Sequence, residues 1–113
     1  MHEYSIVQAL LDRVDREVAA RGATRVHGVR VSIGELAGVE IELLRTAYDT
    51  IRRGTPCEDA LLEIASVDAR WECPRCTETI ERGRPLQCPR CRAAARLASG
   101  DEIVLVRIEM EVA

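Results

Sequence analysis

The first part of the chain has the hydrophobic periodicity of an amphipathic helix. Over residues 4–21, apolar side chains recur every three or four positions and the intervening positions are polar, which places the apolar ones on one helical face. This stripe consists of Val7, Leu10, Leu11, Val14 and Val18. Ser5 is a candidate N-cap, and Gly22 is of a residue type that ends helices. We therefore predict a helix over 4–21.

Two strands and a second helix are predicted to follow. The stretch "RVHGVRVSI", over about 25–33, alternates and is rich in valine, as expected of a half-buried strand. After the turn "GELAG", the apolar spacing becomes helical again over about 40–53, and Gly54 ends this helix. The residues that this helix is expected to bury are Leu44, Ala47, Tyr48 and Ile51. The next stretch, "ALLEIASV", has the apolar composition of a second strand.

The chain ends in a third predicted strand. The segment "DEIVLVRIEMEV" alternates between an apolar and a charged face. The apolar face is expected to contain Val104, Val106, Ile108, Met110 and Val112, and the charged face Arg107, Glu109 and Glu111. Because a strand needs a partner and two strands alone are marginally stable, we expect this strand to return to the first two.

This return makes the first domain discontinuous. We predict that 1–69 and 99–113 form a small two-layer α+β domain of about three strands and two helices. Residues 70–98 would be a zinc-ribbon-like module inserted between its last two strands. Because a module below about 40 residues rarely holds itself together by hydrophobic burial, a metal ion would supply its folding free energy.

Four cysteines have the spacing of a closed metal site. They stand in "CPRCTETIERGRPLQCPRC" as two Cys-x-x-Cys pairs, Cys73 with Cys76 and Cys88 with Cys91. Each pair can direct two thiolates at one tetrahedral ion, and structural Zn(II) is the usual occupant of such a site. Disulfides, unpaired thiols and rubredoxin-type iron are the alternatives. Iron knuckles usually carry glycine after the second cysteine, and its absence from both pairs favours zinc.

Composition restricts the classes of function. The chain has 113 residues, of which 47% are hydrophobic, with one Trp, two Tyr and no Phe, so its core is expected to be aliphatic. A net charge of −3 argues against a membrane surface or a general nucleic-acid partner. The first apolar stretch is short and followed by charges, so we expect no signal peptide and no transmembrane span, and a cytoplasmic location. In a reducing compartment, clustered cysteines favour metal binding over disulfides.

Cys57 and His27 have more ordinary interpretations. Cys57 precedes an apolar run and has no neighbouring histidine, so a half-buried small hydrophobic residue is favoured over a reactive or metal-linked thiol. His27 alternates with Val29 and Val31 in the first predicted strand, and we interpret it as structural.

The N-terminal "MHE" is a second candidate metal site. A side chain as large as that of His2 usually blocks removal of Met1, so the amine, the His2 amide nitrogen and its ring nitrogen can chelate one ion. Amide nitrogen binds only when deprotonated, which suits Cu(II) or Ni(II) better than Zn(II). A reducing cytoplasm holds copper as Cu(I), which leaves Ni(II). The fourth ligand is open among the Glu3 amide, its carboxylate, water and a partner's group, and an exposed histidine without metal is the alternative.

The segments "MHEYSIVQALL", "VSIGELAGVE" and "RIEMEV", together with the cysteine pairs, resemble the HypA/HybF nickel metallochaperones over nearly the whole chain. The resemblance implies a non-enzymatic protein with structural zinc that carries Ni(II) for hydrogenase maturation, and for urease in some organisms. It implies nickel binding at Met1, His2 and Glu3, with Glu40 as a candidate close to that segment. The expected partners are a HypB-type GTPase and the hydrogenase large-subunit precursor, with urease maturation proteins as further candidates. A monomer and a weak homodimer are both left open.

A zinc-ribbon module that binds nucleic acid or protein without carrying nickel is the main alternative. Residues 71–99 hold six Arg and three Glu, but four thiolates around one zinc ion add a charge of about −2. Trp71 is the only aromatic residue there, so a base-stacking platform is missing. An enzyme is not indicated, because a saturated zinc site has no position for water and no Ser-His-Asp set, phosphate loop or dinucleotide fingerprint occurs.

Overall fold

The chain forms two helices and two small sheets, and this computed structural model describes residues 2–113, with side chains from residue 3 onward. The helices are α1 (His2–Arg21) and α2 (Ile41–Ile51). The strands are β1 (Ala23–Gly34), β2 (Leu61–Val67), β3 (Arg70–Glu72), β4 (Thr79–Ile80), β5 (Arg96–Ser99) and β6 (Ile103–Val112). Together with a cluster of four cysteines, these elements confirm the predicted α+β fold class.

Helix α1 is two residues longer at its start than predicted. Ser5 lies inside the helix and is exposed, so its predicted capping role is wrong. Gly22 ends the helix with φ +61°, a left-handed conformation that glycine adopts without a steric penalty. The stripe is buried most completely at Val7, Leu11 and Val14. Although α1 has 20 residues, no helix in the described part of the chain is long and apolar enough to cross a membrane.

Helix α2 packs against α1 and the larger sheet through its predicted apolar face. Leu44, Ala47 and Tyr48 are buried, and Ile51 is half-buried. The buried Tyr48 hydroxyl donates to the Ala60 carbonyl at 2.8 Å, which satisfies a polar group that burial would otherwise penalise. The helix is shorter at both ends than the predicted range 40–53.

The larger sheet has the strand order β2-β1-β6, with β2 parallel and β6 antiparallel to β1. The buried residues of both helices and of β1 form one aliphatic cluster, so the core lies between a helical layer and the sheet. We call this assembly of α1, α2, β1, β2 and β6 the α/β unit. The register between β1 and β6 is interrupted by three irregularities.

These irregularities change which side chains of β6 face the core. The register shift between Arg30 and Val31 leaves Val106 as an extra residue on β6, and a β-bulge of this kind changes the side-chain alternation. The half-buried residues of β6 are consequently Leu105, Ile108 and Met110. The prediction that Val104, Val106 and Val112 would share the core face is wrong, since all three are exposed.

A similar irregularity turns His27 outward. The register shift between Val26 and Gly28 places Val26 and Val29 in the core, whereas His27 is exposed. Its Nε2 lies 2.8 Å from Glu111 Oε1 on β6. The predicted alternation of His27 with the neighbouring valines therefore does not hold across the bulge.

The smaller sheet has the order β4-β3-β5 and is antiparallel throughout. We call it, with the four-cysteine segment that it carries, the cysteine module. The molecule is elongated, 56 × 28 × 16 Å with a radius of gyration of 18.0 Å, against about 13 Å for a compact chain of this length. The boundaries proposed from the sequence, 1–69 with 99–113 and 70–98, stay a prediction.

Close backbone contact joins the two sheets. The Leu36 N–H donates to the Gly100 carbonyl at 2.7 Å. A Cβ atom on Gly34 would overlap the Gly100 backbone, and one on Gly100 would lie 2.5 Å from Ala69 Cα. Gly100 also has φ +105°, a conformation that other residues rarely adopt. Both positions therefore require glycine.

A charged contact lies beside this junction. The Glu35 carboxylate accepts from the Ala69 N–H at 2.9 Å and from both terminal nitrogens of the Arg82 guanidinium. These donors, with Arg82 the largest contributor, lower the pKa of Glu35 to about 2. A turn of the α/β unit thus binds the cysteine module through a bidentate ion pair.

Candidate metal sites

The structure brings the four predicted cysteines together. Their Sγ atoms all lie within 4.8 Å of one another, and the Sγ atoms of Cys73 and Cys91 are 3.5 Å apart. A tetrahedral zinc ion with Zn–S bonds of about 2.3 Å separates its sulfurs by about 3.8 Å. The four thiols are therefore already spaced for one tetrahedral ion.

The first cysteine pair forms a tight knuckle closed by backbone hydrogen bonds. The Thr77 N–H donates to the Cys73 carbonyl at 3.0 Å, and the Cys73 N–H donates to the Glu78 carbonyl at 2.9 Å. The N–H groups of Arg75 and Cys76 point at Cys73 Sγ, at 3.4 and 3.3 Å. These donors stabilise a thiolate, which is the form that binds metal.

The second pair repeats this geometry. The Arg92 N–H donates to the Cys88 carbonyl at 2.9 Å, and the Cys88 N–H donates to the Ala93 carbonyl at the same distance. The Arg90 N–H lies 3.4 Å from Cys88 Sγ. Thr77 and Arg92, which follow the second cysteine of each pair, have φ values of 57° and 65°. This left-handed conformation explains why glycine is common at the position in related knuckles.

The electrostatics of the cluster fit a cation. The Cys76 and Arg75 N–H groups are the main reason that the pKa of Cys73 falls to about 6. The pKa of Cys76 is raised, first because its thiol shares a hydrogen bond with Cys91. Four thiols at this spacing cannot all ionise without a positive charge between them, and a divalent ion supplies it. Four sulfur donors without an open position match a structural tetrahedral site.

Of the N-terminal candidates, Glu3 and the backbone of His2 lie in α1. Glu3 is only 6% exposed, and its Oε2 accepts a hydrogen bond from the Glu40 N–H at 3.0 Å. This bond is the largest reason that the pKa of Glu3 is lowered. Met1 and the His2 side chain lie outside the described residues, so their predicted roles remain predictions.

The contact between Glu3 and Glu40 was not predicted in this form. Glu40 is the N-cap of α2, and its own side chain makes no capping hydrogen bond. The Glu3 carboxylate from α1 instead satisfies a backbone donor there and places a negative charge at the positive end of α2. The only sequence signal for a cap supplied by another segment is the glutamate at the N-cap position of α2, which usually carries Ser, Thr, Asp or Asn.

Cys57 and His27 take no part in the described metal cluster. Cys57 is fully buried in the α/β core rather than half-buried, and this burial raises the pKa of its thiol. Because a protonated thiol is a poor ligand and nucleophile, Cys57 acts as a small core residue. Among the described residues, the four cysteines are the group of His, Cys, Asp and Glu side chains with the spacing for a metal ion.

The fold and the cluster define a class: a small metal-binding α+β protein with a four-thiol module. Within that class, the profile described as "Hydrogenase/urease nickel incorporation, metallochaperone, hypA" matches residues 1–110. The chain belongs to the HypA family, whose members are nickel metallochaperones of hydrogenase and urease maturation rather than catalysts. This assignment confirms the family expected from the N-terminal and cysteine motifs.

Curated relatives and solved structures agree with the assignment. The chain is 37% identical over 112 residues to hydrogenase maturation factor HypA of Nitrosospira multiformis, covering 97% of both chains. It is 36% identical to the factor of the same name from Shewanella oneidensis, covering 100% of this chain and 98% of the relative. The solution structure of the Ni metallochaperone HypA from Helicobacter pylori has 26% identity and a TM-score of 0.74, covering 98% of each chain. A second solution structure, of a HypA protein, has 28% identity and a TM-score of 0.80, covering 97% of this chain and 96% of that one.

Proposed function

We propose that this protein carries Ni(II) at its N-terminus and delivers it to the large-subunit precursor of a NiFe-hydrogenase. Family membership over residues 1–110 is the observation that carries the proposal. The N-terminal amine, the amide nitrogens and the His2 ring supply a nitrogen-rich donor set that suits square-planar Ni(II). Because these ligands come from a chain terminus, the ion can leave by stepwise ligand exchange, as a carrier requires.

Glu3 contributes to this site through its backbone rather than its carboxylate. The carboxylate accepts the Glu40 N–H and is nearly buried, so it anchors the start of α1 to the start of α2. The first N–H groups of a helix have no acceptor in the helical ladder. Nickel can therefore take nitrogens of the first turn without breaking an internal hydrogen bond of α1. Glu40 holds Glu3 in place through its own N–H.

The cysteine module holds a structural Zn(II), and nickel is the transported ion. Cys73, Cys76, Cys88 and Cys91 would each supply one thiolate, which leaves no position for substrate water. The zinc ion stabilises a segment that buries little apolar surface. Nickel and zinc thus occupy separate sites with different ligand chemistry.

The partners follow from the family's role in hydrogenase and urease nickel incorporation. We expect a HypB-type GTPase and the hydrogenase large-subunit precursor, with urease maturation proteins as further recipients. Reduced, clustered cysteines suit a cytoplasmic location.

Nickel titration of four proteins tests the carrier function. Protein with the native N-terminus should bind one nickel ion, His2→Ala should lose this binding, and the matched variant His27→Ala should retain it. Residues fused ahead of Met1 convert the amine to an amide and should also remove most of the affinity. Affinity should fall steeply below about pH 6.5, because imidazole must be deprotonated to bind. Equal affinity of the native and extended proteins would show that the amine is not a ligand.

Zinc content measured on the same samples separates the two sites. His2→Ala should leave the zinc content and the folded structure unchanged, because residues at a chain terminus contribute little to the core. Displacement of zinc by nickel in the native protein would contradict the two-site proposal.

A further inference from the structure

The four cysteines of the metal cluster differ in how far they are exposed. Cys73 and Cys88, the first cysteine of each pair, are 0% and 1% exposed. Cys76 is half-buried and packs against the small core of the cysteine module, whereas Cys91 is exposed. Reagents in solution can therefore reach the cluster most readily at Cys91.

Backbone hydrogen bonds to sulfur also distinguish the cysteines. Two N–H groups point at Cys73 Sγ, at 3.4 and 3.3 Å, and one points at Cys88 Sγ, at 3.4 Å. In the described part of the chain, no backbone N–H makes such a bond to Cys91 Sγ. Because a donated hydrogen bond withdraws negative charge from a thiolate, it lowers the nucleophilicity of the sulfur. The sulfur of the exposed Cys91 is not weakened in this way.

Positively charged residues stand on both sides of Cys91. Arg90 and Arg92 flank it in the sequence, and both are exposed. Arg90 Nε lies 3.9 Å from Glu78 Oε2, which is too far for a hydrogen bond. An accessible, electropositive environment is typical of reactive cysteines, and positive charge stabilises the anion that leaves when a thiolate attacks.

A second sulfur lies within reach of Cys91. The Sγ atoms of Cys73 and Cys91 are 3.5 Å apart, against about 2.05 Å in a disulfide, so a small movement of the side chains can join them. Accessible cysteines beside a second cysteine are the usual targets of reversible oxidation. We propose that Cys91 is an oxidation site at which hydroperoxides open the four-cysteine metal site through a Cys73–Cys91 disulfide. This inference rests on the zinc site of the proposed function and is independent of nickel carriage.

The reaction has two steps. The Cys91 thiolate attacks the terminal oxygen of the hydroperoxide, the O–O bond breaks, and hydroxide or alkoxide leaves, which gives a sulfenic acid at Cys91. The Cys73 thiolate then attacks the Cys91 sulfur, the S–O bond breaks, and a second hydroxide leaves. Each sulfur gives up one electron, and the two electrons reduce the peroxide. Because two of the four thiolates are consumed, the cysteine module loses its metal ion and its ordered structure.

Mapping of the modified cysteine in zinc-loaded native protein tests the proposal. Limiting hydrogen peroxide is added together with dimedone, which traps sulfenic acids, and peptide mass spectrometry identifies the labelled residue. Cys91 should be labelled about tenfold faster than Cys73 or Cys88. Cys57, which is buried in the α/β core, is the internal control and should stay unlabelled. Without dimedone, digestion under non-reducing conditions should yield the Cys73–Cys91 disulfide, and a chromophoric chelator should detect the released zinc.

Arginine variants test the effect of charge without removing a metal ligand. The double variant Arg90→Gln/Arg92→Gln should release zinc about threefold more slowly than the native protein at the same peroxide concentration, because it lacks the charges beside Cys91. The matched variant Arg45→Gln/Arg53→Gln, on the exposed surface of the α/β unit, should release zinc at the native rate. Equal rates for the two double variants would contradict the role of the flanking arginines.

The order of labelling gives the decisive result. First labelling of any cysteine other than Cys91 would overturn the proposal, and so would zinc release while all four cysteines of the cluster stay reduced. A disulfide that does not join Cys73 to Cys91 would overturn the assigned pairing. Zinc content and nickel titration, both measured before peroxide is added, report on the proposed function. A failure of that function is therefore distinguishable from a failure of this inference.

Discussion

The α/β unit and the cysteine module differ in how they are stabilised. Among the described residues, the core of the α/β unit contains 12 buried residues from both helices, the sheet and the segment between α2 and β2. The cluster in the cysteine module contains Cys73, Ile80 and Cys88. Two of those three are metal-ligand candidates. Burial of aliphatic side chains can therefore stabilise the α/β unit, whereas the cysteine module would depend on a metal ion held by its four cysteines.

This difference means that the two units should respond to different perturbations. The described contacts between them include the glycine junction and the Glu35–Arg82 ion pair, both at one end of the α/β unit. Loss of the metal should therefore leave α1 and α2 folded, and loss of core packing should leave the metal bound. The predictions below test this separation.

Removing one cysteine should have the largest effect. Cys73→Ser should abolish the ordered structure of the cysteine module, because apparent zinc-binding free energies in small zinc domains are about 10–16 kcal/mol. Trp71, which packs on the cluster, should become exposed, with a red shift in its fluorescence, and bound zinc should be lost. Far-ultraviolet circular dichroism should retain the helical signal of the α/β unit.

Cys57→Ala is the matched control for this variant. It removes a thiol from the core of the α/β unit and should leave zinc content and Trp71 fluorescence unchanged. Unaltered Trp71 fluorescence in Cys73→Ser would contradict the structural role of the metal.

A core substitution in α2 should give the opposite pattern. Leu44 is 1% exposed, so Leu44→Ala should lower the free energy of unfolding of the α/β unit by about 2–5 kcal/mol. Urea denaturation followed by circular dichroism measures this change. Zinc content should stay at one ion per chain, and Leu43→Ala, at an exposed position of the same helix, should have little effect. Zinc loss in Leu44→Ala would show that the units are not independent.

A smaller effect, here an increase in stability, is expected from relieving backbone strain in the first Cys-x-x-Cys pair. Thr77 has φ 57°, which costs a β-branched residue about 1–2 kcal/mol relative to glycine. Thr77→Gly should therefore stabilise the metal-bound module by up to about 1 kcal/mol, since glycine also loses more entropy on folding. Chelator competition for zinc measures the gain. Thr79→Gly, within β4, should weaken the module instead.

The smallest effect on stability is expected at the junction. Glu35→Gln removes the charge that binds Arg82. The orientation of the cysteine module relative to the α/β unit should therefore change, and residual dipolar couplings measure this change. The thermal midpoint of unfolding should stay nearly constant. The pKa of Glu35 is lowered from 4.5 to about 2. Its stabilising contribution is thus complete above pH 4.5 and declines as the pH falls towards 2. A Glu35→Gln protein whose module keeps the native orientation at neutral pH, where the thiolates still hold their metal ion, would contradict this role.

Local interactions explain what the sequence alone determined. The helical stripe over 4–21 and the two Cys-x-x-Cys pairs depend on residues within a few positions of one another, so their spacing predicts their geometry. The final strand had to find a partner because of its apolar composition, and it pairs with β1. The N-terminal, central and C-terminal motifs and the cysteine pairs also identified the family, because together they are spread over nearly the whole chain.

Contacts between distant residues decided what the sequence did not predict. The bulges that turn His27 and Val106 outward arise from the pairing of β1 with β6, and single-strand alternation contains no information about such a register shift. The capping of α2 by Glu3 joins residues that are 37 positions apart. Gly34 and Gly100 must both be glycine because two backbone segments meet there. In each case the local structure is decided by steric or hydrogen-bonding contacts between distant segments, and these contacts exist only once the chain has folded.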